Sequence, residues 1–232
     1  MMARKVGTNT PPPRDSADGV LAFNLTHGRA IWVLTELGFA SGVSAATFNY
    51  YIKSLRKFGV PFGRSKKSPP SHKLALYSYD DLMELSLALT LRVYGWLPDP
   101  VADGLIRFRE KLHPLYADAY FERKCGRGCP VRIYGPKHES FDMAGIYLDL
   151  QVHYSAGRLI DFGPPIALSP YQALKIFAYS NMSARAHLPL NLSALAARVV
   201  ECALIAPDIR RGPAARCPSA NRNNRSRDLT SE

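Results

Sequence analysis

The feature that most narrows the fold of this chain is a tight turn between two short amphipathic segments. The turn, Ser41-Gly42-Val43-Ser44, joins an apolar-periodic stretch over residues 31–38 to a second one over residues 45–58, which ends at Gly59. Apolar residues spaced by three and four positions predict helices, and Ser is a residue type that caps a helix N-terminus through its hydroxyl. The sequence therefore predicts two short helices, with Ser44 as the cap of the second.

This helical pair begins the most basic part of a basic chain. The 232 residues carry a formal net charge of +11, yet no Asp or Glu occurs between Leu37 and Tyr79. Such an excess indicates a polyanionic partner, with nucleic acid ahead of an anionic membrane surface. The alternative is a basic face that is only solvated. The cations of this stretch are Lys53, Arg56, Lys57, Arg64, Lys66, Lys67 and Lys73.

A loop and two more helices are predicted next. Residues 60–76 are rich in Pro, Gly, Lys and Ser, which indicates an exposed loop or a small hairpin. Ser78-Tyr-Asp-Asp81 is a capping-box pattern, and the helix that it opens should stop at Gly95. A fourth helix is expected from about Pro100, with apolar residues spaced alternately by four and three. These are Val101, Leu105, Phe108, Leu112, Leu115 and Ala119.

The alternating spacing in the fourth helix is a heptad seam, and two structures fit it. The seam belongs either to a core helix of the chain itself, followed by a second short helix, or to a homodimer surface over residues 100–124. His113-Pro114 predicts that the helix kinks or restarts at that point. A dimer would place two DNA-contacting helices on a two-fold site.

Beyond residue 125 the pattern changes from helical to alternating. Strands are predicted from this alternation, with a turn at Gly157, and Ser169-Pro-Tyr-Gln172 is a second capping box. A last helix is expected from about Ser193 to Ile205. This half is interpreted as an α+β domain separate from the helical half. The predicted strands cover residues 131–134, 146–154 and 158–162.

Three sequence blocks resemble the MerR family of transcription regulators. ELGFASGVSAATFNYY (residues 36–51) is similar to that family's helix-turn-helix, and LYSYDDL (residues 76–82) to the end of its wing and the start of its third helix. LRVYGW (residues 91–96) is similar to the end of that helix. The resemblance covers less than a third of the chain. It implies a winged helix-turn-helix that binds double-stranded DNA. The sequence predicts no cofactor.

The resemblance and the patterns together predict a mainly α N-terminal winged helix-turn-helix with a following long helix, then a small α+β C-terminal domain. Five segments are expected: a flexible basic arm over residues 1–24, the winged helix-turn-helix over 25–97, a linker or dimerisation helix kinked at Pro114 over 98–124, an α+β domain over 126–206, and a disordered basic tail over 207–232.

The second helix is the expected recognition helix, because an α-helix fits the major groove. Asn49 can bond to adenine, and Tyr50, Tyr51 and Tyr77 offer hydroxyls to phosphates. Asn49 could equally be a solvated residue, and one of the two adjacent tyrosines is expected to pack instead. The DNA-binding candidates are Ser44, Ala46, Asn49, Tyr50, Tyr51, Lys53, Arg56, Lys57, Arg64, Lys66, Lys67, Lys73 and Tyr77.

The chain departs from the family pattern where arginines usually stand. Ala46 and Asn49 occupy two such positions in the recognition helix, and Ala75 occupies one in the wing. A short insertion also separates Tyr51 from Gly59. The individual base contacts of the family therefore do not transfer, and Lys53, Arg56 and Lys57 are the candidates to replace the lost charge.

Cys125 and Cys129 are weak candidates for a redox pair or a metal clasp, and a plain surface loop is the other interpretation. Two thiols alone do not close a zinc site, which needs four ligands. No nucleophile elbow, phosphate loop or His-Glu-x-x-His motif occurs, so no enzyme is predicted. Neither a signal peptide nor an apolar run of ~18 residues is found, which favours a cytoplasmic, nucleoid-associated protein with no membrane contact.

The sequence thus predicts a sequence-specific transcription regulator of MerR-like type, with the C-terminal domain as the candidate binding site for a small-molecule or protein effector. The alternative is an architectural, excision or antitoxin-like DNA-binding module with no small-molecule effector.

Overall fold

The computed structural model describes residues 21–63, 76–125, 131–134, 140–155, 158–179 and 186–208. Within these residues the chain is mainly helical and carries small antiparallel sheets. The helices are α1 (His27–Glu36), α2 (Ala45–Lys57), α3 (Tyr79–Val93), α4 (Pro98–Cys125), α5 (Pro170–Tyr179) and α6 (Leu192–Ile205). The strands are β1 (Leu25–Thr26), β2 (Leu76–Tyr77), β3 (Val131–Tyr134), β4 (Ser140–Met143), β5 (Tyr147–Ser155), β6 (Arg158–Phe162), β7 (Ile166–Leu168) and β8 (Ala186–Asn191).

The three helix starts predicted from capping signals are confirmed. The Ser44 hydroxyl accepts from the backbone N–H of Thr47 at the start of α2. Ser78 and Asp81 exchange side-chain and backbone hydrogen bonds at the start of α3, which is the complete capping box. Ser169 and Gln172 make the same reciprocal pair before α5. Each cap satisfies N–H groups that a helix start leaves without intrahelical partners.

Helix α4 runs from Pro98 to Cys125 as one helix, with Pro114 inside it. The helix therefore does not restart after His113. Its heptad residues are buried or half-buried in the protein's own core, where α4 packs against α3 and α6. The seam therefore packs in the core, as the first interpretation predicted, but α4 continues to Cys125 without the second short helix. The apolar side chains expected to form a dimer surface over residues 100–124 are covered by this chain itself.

The largest sheet is built around β5. Strands β6 and β7 pair with successive parts of β5, β8 pairs with it over residues 147–152, and all three pairings are antiparallel. Leu148 and Leu150 are buried in the main core with the helices, whereas Tyr147 packs with Leu168 and Ala173 in a smaller cluster that includes α5. Because side chains alternate across a strand, β5 contributes to both clusters.

One core crosses the boundary expected near residue 126. Helix α6 packs against α1, α3 and α4, and its apolar face joins the same cluster as theirs. The sequence analysis treated residues 126–206 as a unit separate from the helical half. Their last helix instead covers that half, because the N-terminal helices expose an apolar surface that α6 can fill. Among the described residues, no helix combines the length and the apolarity that crossing a bilayer requires.

Candidate nucleic-acid interface

Helix α2 separates apolar and polar side chains onto two faces. Phe48, Ile52 and Leu55 are each at most 2% exposed and anchor the helix in the core. The opposite face contains no carboxylate. Its exposed members are Ala45, Ala46, Asn49, Tyr50, Lys53, Arg56 and Lys57. The predicted recognition-helix candidates on α2 thus lie together on one solvent-facing surface, with Tyr51 as the exception.

The N-terminus of α2 is open to an anion. Ser44 is exposed and caps the N–H of Thr47, while the N–H groups of the first helical residues have no intrahelical acceptor. Ala45 and Ala46 are small and exposed, so neither side chain blocks an approach to the backbone. The helix dipole adds a partial positive charge at this end.

The C-terminus of α2 is closed by a Schellman motif. Gly59 has φ +99°, the N–H of Val60 donates to the carbonyl of Leu55, and the N–H of Gly59 donates to that of Arg56. Val60 is buried, which fastens the turn to the core. Arg56 and Lys57 lie in the last turn, where the helix dipole favours cations. The turn therefore fixes where the basic face ends.

The two adjacent tyrosines of α2 have different environments. Tyr50 is 67% exposed, whereas Tyr51 is half-buried and packs against the core. The guanidinium carbon of Arg92 lies 4.9 Å from the centroid of the Tyr51 ring, a cation–π distance. Tyr50 is accordingly the tyrosine that faces solvent, and Tyr51 is the packing member of the pair.

The expectation that Tyr77 contacts a phosphate is wrong for this structure. Tyr77 is 1% exposed, its ring centroid lies 5.1 Å from that of Phe62, and its hydroxyl is 3.0 Å from Nδ1 of His27. Burial raises the pKa of the Tyr77 hydroxyl, Arg56 lowers it and Asp81 raises it. Strand β2 holds Tyr77 against β1, where it pairs with Leu25, so the side chain points into the core.

Several predicted site residues are not part of this description. Arg64, Lys66, Lys67 and Lys73 lie outside the described residues, as does Cys129. Cys125 is the last residue of α4, and only its backbone is described. The described side chains contain no group of three or more His, Cys, Asp or Glu residues that could hold a metal ion.

A buried ion pair stands behind the basic face. Glu84 on α3 is 1% exposed, and Arg109 on α4 donates to both of its carboxylate oxygens, at 2.9 Å from Nε and 2.6 Å from Nη2. The hydrogen bond with Glu84 raises the pKa of Arg109. The same Nη2 also donates to the carbonyl of Gly59, at 3.3 Å. One guanidinium thus connects α3, α4 and the turn that ends α2.

His113 extends this polar cluster toward the start of α3. Its Nδ1 lies 3.8 Å from a carboxylate oxygen of Asp80, and its Nε2 lies 3.6 Å from one of Glu84. Nearby, the hydroxyl of Tyr79 donates to the carbonyl of Tyr116 at 2.7 Å. Burial raises the pKa of the Tyr79 and Tyr116 hydroxyls, so both stay protonated.

A second buried pair lies in the β5 sheet. Nδ1 of His187 on β8 is 2.9 Å from Oδ2 of Asp149 on β5, and the Asp149 side chain is 2% exposed. Pairing of this kind compensates for the cost of burying a charge. The two partners are 38 residues apart in the sequence and meet because β8 pairs with β5.

Sequence reasoning missed Arg92 and Arg109 as residues of this region. Arg92 is part of the LRVYGW block, but nothing in the sequence shows that it lies over Tyr51. Arg109 is one of several charges on a helix with an apolar stripe. The only available signal was Glu84, a carboxylate within an otherwise apolar stretch of α3, because such a charge must find a partner when the helix is buried.

Comparison of the chain with protein-family models, with curated proteins and with solved structures finds no match.

Proposed function

We propose that this chain is a DNA-binding transcription regulator of MerR-like type, in which α2 is the recognition helix and reads duplex DNA from the major groove. The single observation that carries this proposal is the exposed face of α2, where cations and Asn49 stand without any carboxylate. The cations of such a face repel one another in the free protein. Binding to the phosphate backbone of DNA neutralises them and releases counterions from the DNA.

The members of this face divide into two roles. Lys53, Arg56 and Lys57 supply sequence-independent attraction to phosphates, and Tyr50 adds an exposed hydroxyl. Asn49 lies in the middle of this face. Its side-chain amide can accept a hydrogen bond from the N6 amino group of adenine and donate one to N7. The open N-terminus of α2 suits one further phosphate. Base readout thus depends on Asn49, and most of the affinity depends on the cations.

The C-terminal half supports a regulatory function through its packing. Since α6 shares one core with α1, α3 and α4, an effector bound to the β5 sheet would act on a body continuous with the recognition helix. Because the apolar seam of α4 is buried, two-fold binding would have to use another surface of the chain. Sedimentation at micromolar concentration measures whether a dimer forms.

A second candidate function is an architectural, excision or antitoxin-like DNA-binding module without an effector. One observation favours it: the exposed face of α2 presents Ala46 and Asn49 where the resembled family has arginines, so fewer long side chains reach base edges. Such a module would bind duplexes with little regard to sequence.

A salt series of duplex-binding measurements tests the proposal and separates the two candidates. The regulator retains a sequence-specific component as salt rises, whereas the architectural module loses nearly all of its affinity. Asn49→Ala should alter the sequence preference, whereas Lys53→Ala should weaken binding to all duplexes alike. Lys53→Ala should also lower the magnitude of the salt slope, the slope of log affinity against log salt concentration, by about one. Glu201→Ala on α6 serves as a control far along the chain from this face. Absence of salt-sensitive duplex binding by the unchanged chain refutes the proposal.

A further inference from the structure

The guanidinium of Arg109 is shared between a buried carboxylate and the end of α2. Two of its nitrogens hold Glu84, and one of these also donates to the Gly59 carbonyl. A Cβ placed on Gly63 would lie 3.5 Å from Nη1, so the guanidinium also lies against the last described part of the turn after α2. The basic face of α2 is therefore tied to α3 and α4 at one point.

Stability alone does not explain why this pair is there. Removing two charges from water is costly, and a buried ion pair replaced by apolar residues of similar size often leaves a protein equally or more stable. Glu84 is 1% exposed, and the residues on either side of it in α3, Met83 and Leu85, are fully buried, so the ion pair lies within the core. Apolar residues in these positions could not donate to the Gly59 carbonyl. They also could not hold α3, α4 and the end of α2 at a fixed distance from one another.

We infer that Arg109 is a positioning residue for DNA binding: clamped by Glu84, it fixes the C-terminal end of α2 and thereby the angle at which the basic face meets the duplex. This inference rests on the proposed function. In this arrangement Arg109 is not expected to contact DNA itself, because its side chain is only 23% exposed and its Nε and Nη2 donate to Glu84 and Gly59. The planar, forked guanidinium matches these three acceptors, whereas a lysine ammonium offers its donors from a single point and does not reproduce the fork.

The decisive variant replaces both partners, Glu84→Met with Arg109→Met. Unfolding by urea should show stability equal to or above that of the unchanged chain, because no charge is left buried without a partner. Affinity for a duplex should nevertheless fall about tenfold, the order of loss when a charged hydrogen bond stops holding a contact surface. Arg109→Lys should give a similar loss of affinity, and it keeps the inference testable if the double variant does not fold.

The salt slope and hydrogen exchange separate positioning from direct contact. The double variant should keep the salt slope of the unchanged chain, because no phosphate contact is lost, and the amides of Gly59 and Val60 should exchange faster. Lys111→Met, which removes one exposed cation from the same helix, should leave affinity within about twofold and exchange at Gly59 unchanged.

Two results would overturn the inference. If the double variant binds DNA as the unchanged chain does, Arg109 positions nothing. If its salt slope drops by about one, Arg109 contacts a phosphate directly. By contrast, failure of the unchanged chain to bind any duplex removes the proposed function itself, and the hydrogen-exchange comparison then still reports whether Arg109 holds the end of α2.

Discussion

Arg92 on α3 covers the ring of Tyr51 on α2, with 4.9 Å between the guanidinium carbon and the ring centroid. Its Nη1 also donates to the carbonyl of Trp96 at 2.6 Å, so two contacts hold the guanidinium in place. Tyr51 is in this way committed to the packing of α2 on α3, while its neighbour Tyr50 stays free to face solvent. Of two adjacent tyrosines, one therefore packs and the other is left on the surface.

The two tyrosines should respond oppositely to truncation. Tyr51→Ala is expected to destabilise the fold by about 1–2 kcal/mol, because it removes a half-buried ring and its cation–π partner. Tyr50→Ala should change stability by less than about 0.5 kcal/mol and weaken duplex binding instead. Urea unfolding and duplex titration of both variants test this. Equal losses of stability would show that the two environments are not distinct.

The Schellman motif predicts a backbone effect at Gly59. Gly59→Ala should destabilise the chain by about 1 kcal/mol, because the residue has φ +99°, a conformation that a Cβ disfavours. Gly59→Asn should cost less, since Asn tolerates the left-handed region better than Ala. Thermal unfolding measures both. An unchanged midpoint for Gly59→Ala would mean that the turn relaxes without loss.

Asp80 predicts a pH dependence with a definite sign. Burial raises the pKa of Asp80 above its ordinary value of 3.8, His113 opposes the shift, and Asp81 adds to it. The folded chain therefore holds this proton more tightly than the unfolded chain. The stabilisation is present in full below the ordinary pKa and is lost as pH rises through the raised one.

The Asp80→Asn variant isolates this effect. The unfolding free energy of the unchanged chain, taken relative to that of the variant, should decrease as pH rises from about 3.8 through the raised pKa. Asp118→Asn, which removes an exposed carboxylate from α4, is the charge control. A difference that increases with pH would contradict the assigned direction.

The Asp149–His187 pair should show the energetics of a buried charge. His187→Leu is expected to destabilise the chain by about 3 kcal/mol or more, because it leaves the Asp149 carboxylate in the core without its partner. Adding Asp149→Leu should recover most of that loss. Urea unfolding at neutral pH compares the two variants, and a double variant no more stable than the single one would exclude this explanation.

Much of the helical framework was predictable, because its signals are local. The starts of α2, α3 and α5 follow from residues three positions apart, whose hydrogen bonds form within one turn of helix. The exposed face of α2 was predictable in the same way, since its apolar residues define the opposite face. The burial of Tyr77 was not, because β2 pairs with a strand some fifty residues earlier.

The amino-acid sequence alone determined the capped starts of α2, α3 and α5 and the acid-free basic face, since caps and charges act between near neighbours. Tertiary structure decided three other matters: that the seam of α4 is covered by the chain itself, that Arg109 finds Glu84, and that His187 finds Asp149. These contacts join residues far apart in the chain. A buried apolar or charged side chain requires a partner, but only the path of the folded chain determines which one it meets.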